Sequence, residues 1–251
     1  MAREREAKPA LPGPKPERTR LDRATVAATA LRLLGEVGLE GLTLRAIAKE
    51  LDVKAPALYW HFKDKQALLD EMATEMFRRM TADLATAVRP PRDWREALEA
   101  AMRGLREHLL RYRDGAKVYS GTHFTDMSFA APMEAHLRTL VAGGFTAAGA
   151  ARAWFTAYSY TIGYVIEEQS MGPLPGADGE GYDLEARAAR LADYPLTTAA
   201  GPAMFRDRDA GFEAGLTAVL SGIGATLLPA PPAPDARTPP DPTAPPGHPL
   251  G

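Results

Sequence analysis

A chain of 251 residues with 45% hydrophobic and 25% charged side chains can bury a sizeable core, and reads as a soluble globular protein with one small module and one larger domain. The absence of cysteine excludes disulfide frameworks, thiolate nucleophiles and zinc sites of the usual structural kind. No stretch reads as a secretory signal or a membrane span, so the expected address is cytoplasmic, with no membrane partner. A formal net charge of −2 argues against indiscriminate coating of nucleic acid and leaves room for a local basic face.

Residues 1–20 interleave Pro9, Pro12, Pro14 and Pro16 with Arg3, Arg5, Lys8, Lys15, Arg18 and Arg20, too few apolar side chains to fold alone. They read as a disordered basic arm. Such an arm could reach a minor groove, although Glu4, Glu6 and Glu17 dilute its charge and favour a solvated tail. From Leu21 onward apolar residues recur at helical spacing, with no sustained strand alternation. Breaks fall at Gly38 and Gly41, Asp52, Arg89-Pro90-Pro91, Asp114-Gly115, Gly143-Gly144 and across 172–181. The predicted fold is all-α, with roughly nine or ten helices. Residues 21–67 are expected to form a helix-turn-helix module, and 68–228 a helical ligand-binding and dimerisation domain. The latter has predicted helices near 64–87, 92–112, 127–142, 146–170 and 204–227, and a long, partly helical excursion over 172–203. Residues 229–251, rich in proline, read as a disordered tail.

The stretch Thr43 to Phe62 has the pattern of two short helices around a turn at Asp52-Val53. Thr43 suits the cap of the first and Pro56 the first turn of the second. Ile47, Ala48, Leu51, Val53 and Leu58 would pack inward. That leaves Lys54, Ala55, Ala57, Tyr59, Trp60 and His61 on or near an outer face, a set suited to the major groove. Alanine offers a methyl to thymine, while tyrosine and histidine reach phosphate oxygens. Arg45 is the best candidate for bidentate reading of guanine, and Lys65, opening the next helix, for holding a phosphate. The plain alternative is a three-helix bundle with Tyr59 and Trp60 in its core.

Three runs, Leu42-Thr43-Leu44-Arg45, Leu58-Tyr59-Trp60-His61-Phe62-Lys63-Asp64-Lys65 and Ala67-Leu68-Leu69-Asp70, strongly resemble the TetR family of repressors. The resemblance continues through Arg111 to Val118, Gly121-Thr122, Gly144-Phe145 and Thr161-Ile162-Gly163 with Glu167-Glu168-Gln169, where it is to the tetracycline-repressor subgroup. It spans about 21–228 and implies a homodimer built through a four-helix bundle from 146–170 and 204–227, with two recognition helices on a near-palindromic operator. Ala55 and Ala57 stand where that subgroup offers Gln and Thr to bases, so a different operator is implied.

The resemblance also locates a ligand site, and there the chain departs from the subgroup. Thr81, Ala101 and Tyr119 replace two histidines and an asparagine, and Leu105 replaces a phenylalanine. Thr122 is kept, Glu167 matches an acidic residue that meets the water shell of a bound Mg²⁺, and His136 falls where a glutamine contacts the drug. Three lost hydrogen-bonding partners at about 1–3 kcal/mol each imply binding of tetracycline weaker by roughly a hundredfold or far more. The expected inducer is a different small, flat, aromatic, antibiotic-like compound, contacting Thr81, Leu84, Leu105, Tyr119, Thr122, Phe124, His136, Trp154, Tyr158 and Glu167, with Phe129 nearby and no metal or other cofactor. Several of these aromatics could equally be core. By the resemblance, a short helix around 116–121 would sit between pocket and DNA-binding head and push helix 64–87 like a pendulum.

The chain is expected to be a repressor controlling efflux or antibiotic-biosynthesis genes. An activator of the same family and a tetracycline-responsive repressor are the alternatives, and a pure interaction module is a further rival. Catalysis is not expected. His108, His123, His136, Asp126 and Glu167 show no ligand or acid-base spacing, and scattered histidines are usually surface or satisfied residues.

Overall fold

A computed structural model describes residues 21–84, 90–171 and 183–229. The arm 1–20, the tail beyond Pro229, the segments 85–89 and 172–182 and the side chain of Leu84 lie outside the described residues. Twelve helices and no strand occur among those described, more than the expected nine or ten because the excursion, expected to be partly helical, forms three short helices after 182. The chain folds as two compact units.

The first unit takes in the described residues up to Asp83 together with His108–Ser128. Asp22 accepts from the Thr25 amide (2.8 Å) and starts α1, Arg23–Gly41, which kinks at Gly38 (φ 69°, ψ 176°). That conformation is essentially restricted to glycine, and an added Cβ would lie 3.1 Å from Arg113 Nε. Gly38→Ala should therefore lower stability by about 1–3 kcal/mol, read as a lower urea midpoint with an unchanged m-value.

Thr43 caps α2, Leu44–Glu50, by accepting from the Ala46 amide (3.1 Å), as expected. Asp52 then turns left-handed (φ 51°) and the Val53 amide returns to the Ala48 carbonyl at 3.0 Å, a Schellman-type stop. The chain enters α3, Ala55–Tyr59, with Pro56 in its first turn. Ile47, Ala48, Leu58 and Phe62 are buried, whereas Leu51 and Val53, expected inside, are only half-buried because the turn lies at the rim. Then comes α4, Lys65–Leu84, with Leu68, Met72, Ala73 and Met76 buried.

Residues 108–128 complete this unit. They carry the end of α5, Trp94–Leu110, and α6, Gly115–Tyr119, which starts at a left-handed Asp114 (φ 54°). The compact units thus part at Asp83 rather than near residue 67, and α6 shares the unit of the DNA-binding head.

The second unit contains the rest of α5, α7 (Ala130–Ala142), α8 (Ala147–Ser170), α9 (Leu184–Arg190), α10 (Pro195–Ala199), α11 (Gly201–Phe205) and α12 (Arg208–Leu227). Because α11 intervenes, α12 begins four residues later than predicted. Its buried stripe of Phe212, Leu216, Leu220 and Ile223 packs on α8, where Ala153, Ala157, Thr161, Ile162 and Val165 are buried. The hydroxyls of Tyr160 and Tyr164 donate to the Phe212 and Arg208 carbonyls (2.9 and 2.7 Å). Arg106 joins α5 to both helices, donating to Glu168 (2.7 Å) and Asp209 (2.6 Å) above the Phe212 ring. By length and composition α12 is apolar enough to cross a membrane, at a mean hydropathy of 1.3, yet only 22% of that stretch is buried.

Candidate nucleic-acid interface and ligand-contact residues

The outer side of α2–α3 carries the predicted DNA-contact residues. Thr43, Arg45, Lys54, Pro56, Tyr59 and Trp60 are exposed, and Ala55, Ala57 and His61 half-buried. Trp60 is 90% and Tyr59 54% exposed, which removes the alternative that both belong to the core. Two residues are engaged otherwise than expected: the Lys65 ammonium donates to the Leu39 carbonyl (2.9 Å), and the His61 carbonyl accepts from Arg23 Nη1 (2.6 Å). An ammonium carries three donors, so Lys65 keeps protons to offer a phosphate.

In the same unit, Tyr119, Phe124 and Phe77 form an aromatic cluster, with centroids 5.8 Å apart for Tyr119–Phe124 and 4.9 Å for Phe77–Phe124. Tyr119 is buried. The Thr81 hydroxyl donates to the Phe77 and Arg78 carbonyls of its own helix, and the Thr122 hydroxyl to the Tyr119 carbonyl (2.9 Å), so both point their protons at backbone. Asp114 Oδ2 accepts from the Leu39 amide (3.0 Å), fastening the start of α6 to the end of α1 just past its kink. Burial pushes that carboxyl up, but the Leu39 amide, Lys117 and Arg113 together outweigh it and hold it below the ordinary range.

The remaining ligand-contact candidates belong to the second unit. His136 lies against Trp154 (4.4 Å between centroids, 32°), and burial pushes its imidazole pKa down. Burial likewise raises the Tyr158 phenol, whose ring stacks on Phe155 at 6.2 Å. Leu105 and Ala101 are buried, and Glu167 is exposed. No group of three metal-ligating side chains occurs among the described residues.

His108 departs from the expectation for scattered histidines. It is buried, its ring 5.4 Å from Tyr112, and neither nitrogen has a hydrogen-bond partner among the described residues. Burial, then Arg111, pushes its pKa down, with Asp83 (3.9 Å) and the Met76 backbone, near but outside good hydrogen-bond geometry, pulling the other way. As pH falls below about 6.5, the unfolded imidazole takes up a proton before the folded one, so stability is full above that pH and is lost below it. Thermal midpoints should fall from pH 7.5 to 5. His108→Leu should flatten that slope and add about 1–3 kcal/mol at neutral pH, whereas an unaltered slope would assign the effect elsewhere, first to His136. No sequence pattern marks such a site, because burial of one histidine on α5 depends on what α4 places opposite it.

An all-α chain with an exposed, aromatic- and lysine-bearing recognition helix on a capped helix-turn-helix, joined to a larger helical domain, defines a DNA-binding regulator with a separate effector domain. Residues 26–72 match the model for bacterial regulatory proteins of the tetR family, and residues 88–227 that for the tetracyclin repressor-like C-terminal domain. The chain is 39% identical over 213 residues to the class A tetracycline repressor protein from transposon 1721 of Escherichia coli, covering 84% of this chain and 94% of that protein. Among solved structures, a possible TetR family transcriptional regulator from Streptomyces coelicolor A3(2) aligns with a TM-score of 0.69 at 39% identity, over 81% of this chain and 99% of that one. A single-site variant of TetR from Acinetobacter baumannii AYE, in complex with minocycline, aligns with a TM-score of 0.61 at 34% identity, over 84% and 100%. The chain belongs to the TetR family and is a transcriptional repressor of that family.

Proposed function

We propose that this repressor binds a near-palindromic operator as a homodimer and is released by a small, flat, aromatic inducer other than tetracycline, in the cytoplasm, in control of efflux or antibiotic-biosynthesis genes. The observation that carries the DNA half is the exposure of Trp60 and Tyr59 beside Arg45 and Lys54 on one helix-turn-helix face. Arg45 reads a guanine. Lys54, Tyr59, His61 and Lys65 hold phosphates, and Thr43, Ala55, Pro56, Ala57 and Trp60 shape the contact with the groove.

Homodimerisation is supported by α12, an apolar helix with less than a quarter of its stretch buried within the chain, and by the 67%-exposed Phe155 on α8, which packs against it. A second copy of the same pair covers both faces, building a four-helix bundle.

For the inducer, the support is chemical. Tyr119, Phe124, Trp154, Tyr158 and His136 offer ring faces, with Leu105 as an apolar contact, while the hydroxyls of Thr81 and Thr122 are spent on backbone carbonyls. Glu167 is the one carboxylate in the set. By linkage, the inducer binds the DNA-incompetent state better than the competent one. The second reading, a tetracycline-class inducer, is favoured by the minocycline held by the 34%-identical relative.

The test is a mobility shift on the protein's own upstream intergenic DNA, with a panel of aromatic polyketides, and with Mg²⁺-tetracycline and Mg²⁺-minocycline. Release by a polyketide alone supports the first reading. Release or thermal stabilisation by either tetracycline at micromolar concentration replaces it with the second. No complex at low salt removes the operator function.

A further inference from the structure

Glu71, in the second turn of α4, is only 4% exposed and lies between two arginines. Its Oε2 accepts from Arg23 Nε at 2.7 Å, and its Oε1 lies 3.6 Å from Arg78 Nη1. Arg23 spends its remaining reach on the end of the recognition helix: Nη1 donates to the His61 carbonyl at 2.6 Å, and the guanidinium lies 4.6 Å from the centroid of the buried Phe62 ring. Arg78 faces the other way, Nε and Nη2 both donating to Asp126 Oδ2, with 3.2 Å for Nε. Asp126 is itself fixed by the Ser128 amide (2.9 Å). Ser128 and Arg78 together hold its carboxyl down at about 2.

The same face of α4 grips the residues just before Asp126 at one-turn intervals. Asp70 Oδ1 accepts from the His123 amide (3.1 Å), and Thr74 Oγ1 from the Thr125 amide (2.9 Å). Positions 70, 74 and 78 thus follow the segment 123–126 along three turns. A buried carboxylate bridging two guanidiniums is a poor choice for stability alone, since apolar side chains of like volume usually serve as well or better. What it provides is direction. Arg78 sets two nitrogens on one Asp126 oxygen, and Arg23 divides its nitrogens between Glu71 and the His61 carbonyl, so orientation is fixed as well as distance.

We propose that Glu71 and Arg78 are positioning residues that tie the segment 122–128 to the exit of the recognition helix, through the chain Asp126, Arg78, Glu71, Arg23 and the His61 carbonyl. A ligand that displaces Thr122 or Phe124 draws Asp126 from Arg78. Arg78 then rebalances against Glu71 and Glu75, and Arg23 loses the geometry that holds His61. This use of the relay in operator release rests on the function proposed above, whereas the mechanical link does not.

Hydrogen exchange of the full-length protein, without DNA or inducer, tests the link directly. Asp126→Asn removes only the charge of a partly exposed carboxylate and is expected to speed exchange of amides in 55–62 by about three- to tenfold. Arg78→Gln should do the same, and the double variant no more than either single one. Arg78→Lys, which keeps charge without the fork, should fall between Arg78→Gln and the parent. Arg103→Gln, which breaks the exposed pair with Glu213 in the other unit, is the control and should leave 55–62 unchanged. Faster exchange confined to 122–128, or additive effects in the double variant, would overturn the proposal. Should Arg78→Gln fail to fold, Asp126→Asn alone decides by the same criterion. If 55–62 responds while the parent protein binds no operator, the link stands and the DNA reading falls.

Discussion

Arg45→Ala is expected to weaken operator binding by about 2–6 kcal/mol, one bidentate base contact of roughly 1–3 kcal/mol being lost in each half-site. The residue is exposed, one position into α2 after the Thr43 cap, so its removal leaves the buried Leu44, Ile47 and Ala48 untouched. The thermal midpoint should therefore stay within a degree or two. The loss should be concentrated on one base pair per half-site, with the substituted protein tolerating changes there that the parent rejects. Lys54→Ala supplies the contrast: a uniform loss across sequences and a smaller salt slope by about one counterion per half-site. If Arg45→Ala behaves like Lys54→Ala in both respects, Arg45 contacts phosphate and the base-reading assignment fails.

The second large effect concerns the proposed homodimer. Gly222 lies on the exposed side of α12, and an added Cβ there meets no atom within 4 Å, so Gly222→Arg should fold as well as the parent and gain helix propensity. Placed against a second copy, however, each guanidinium meets an apolar face and its own image. An unpaired interfacial charge costs about 2–5 kcal/mol. At tenfold per 1.4 kcal/mol that raises the dimer dissociation constant by roughly thirty- to several-thousand-fold. Phe155→Arg on α8 should act in the same direction. Sedimentation should show monomers with parental helix content, and operator affinity should fall with dimerisation, because two heads must be held one helical turn, about 34–36 Å, apart. Monomers that keep full operator affinity would separate DNA binding from α8 and α12.

The coupling within the first unit connects these predictions to regulation. Residues 114–128 hold α1 through Asp114 on the Leu39 amide and α4 through His123 on Asp70, Thr125 on Thr74 and Asp126 on Arg78, all within the unit that contains α2 and α3. The resemblance alone suggests a short helix interposed between two domains. These hydrogen bonds instead make α6 and its following segment part of the unit that holds α2 and α3, so under the proposed function a ligand touching Tyr119 or Thr122 acts on that unit directly.

By itself the sequence determined the helical class, the capped helix-turn-helix with its turn at Asp52-Val53, and which helix face is polar, because these follow from local rules: side-chain caps, proline's fixed φ and 3.6-residue periodicity. The family could be recognised for the same reason, as its identifying runs are contiguous. Only the tertiary structure decided that Trp60 stands in water while Phe62, two residues on, is fully buried beneath Arg23. It alone found Glu71 between two arginines 48 and 7 positions away, and His108 enclosed without a hydrogen bond among the described residues. Each of these depends on which side chains distant segments bring to one place. A charge at a helical position has the same local signature whether its partner is solvent or a guanidinium from elsewhere in the chain, and only packing distinguishes them.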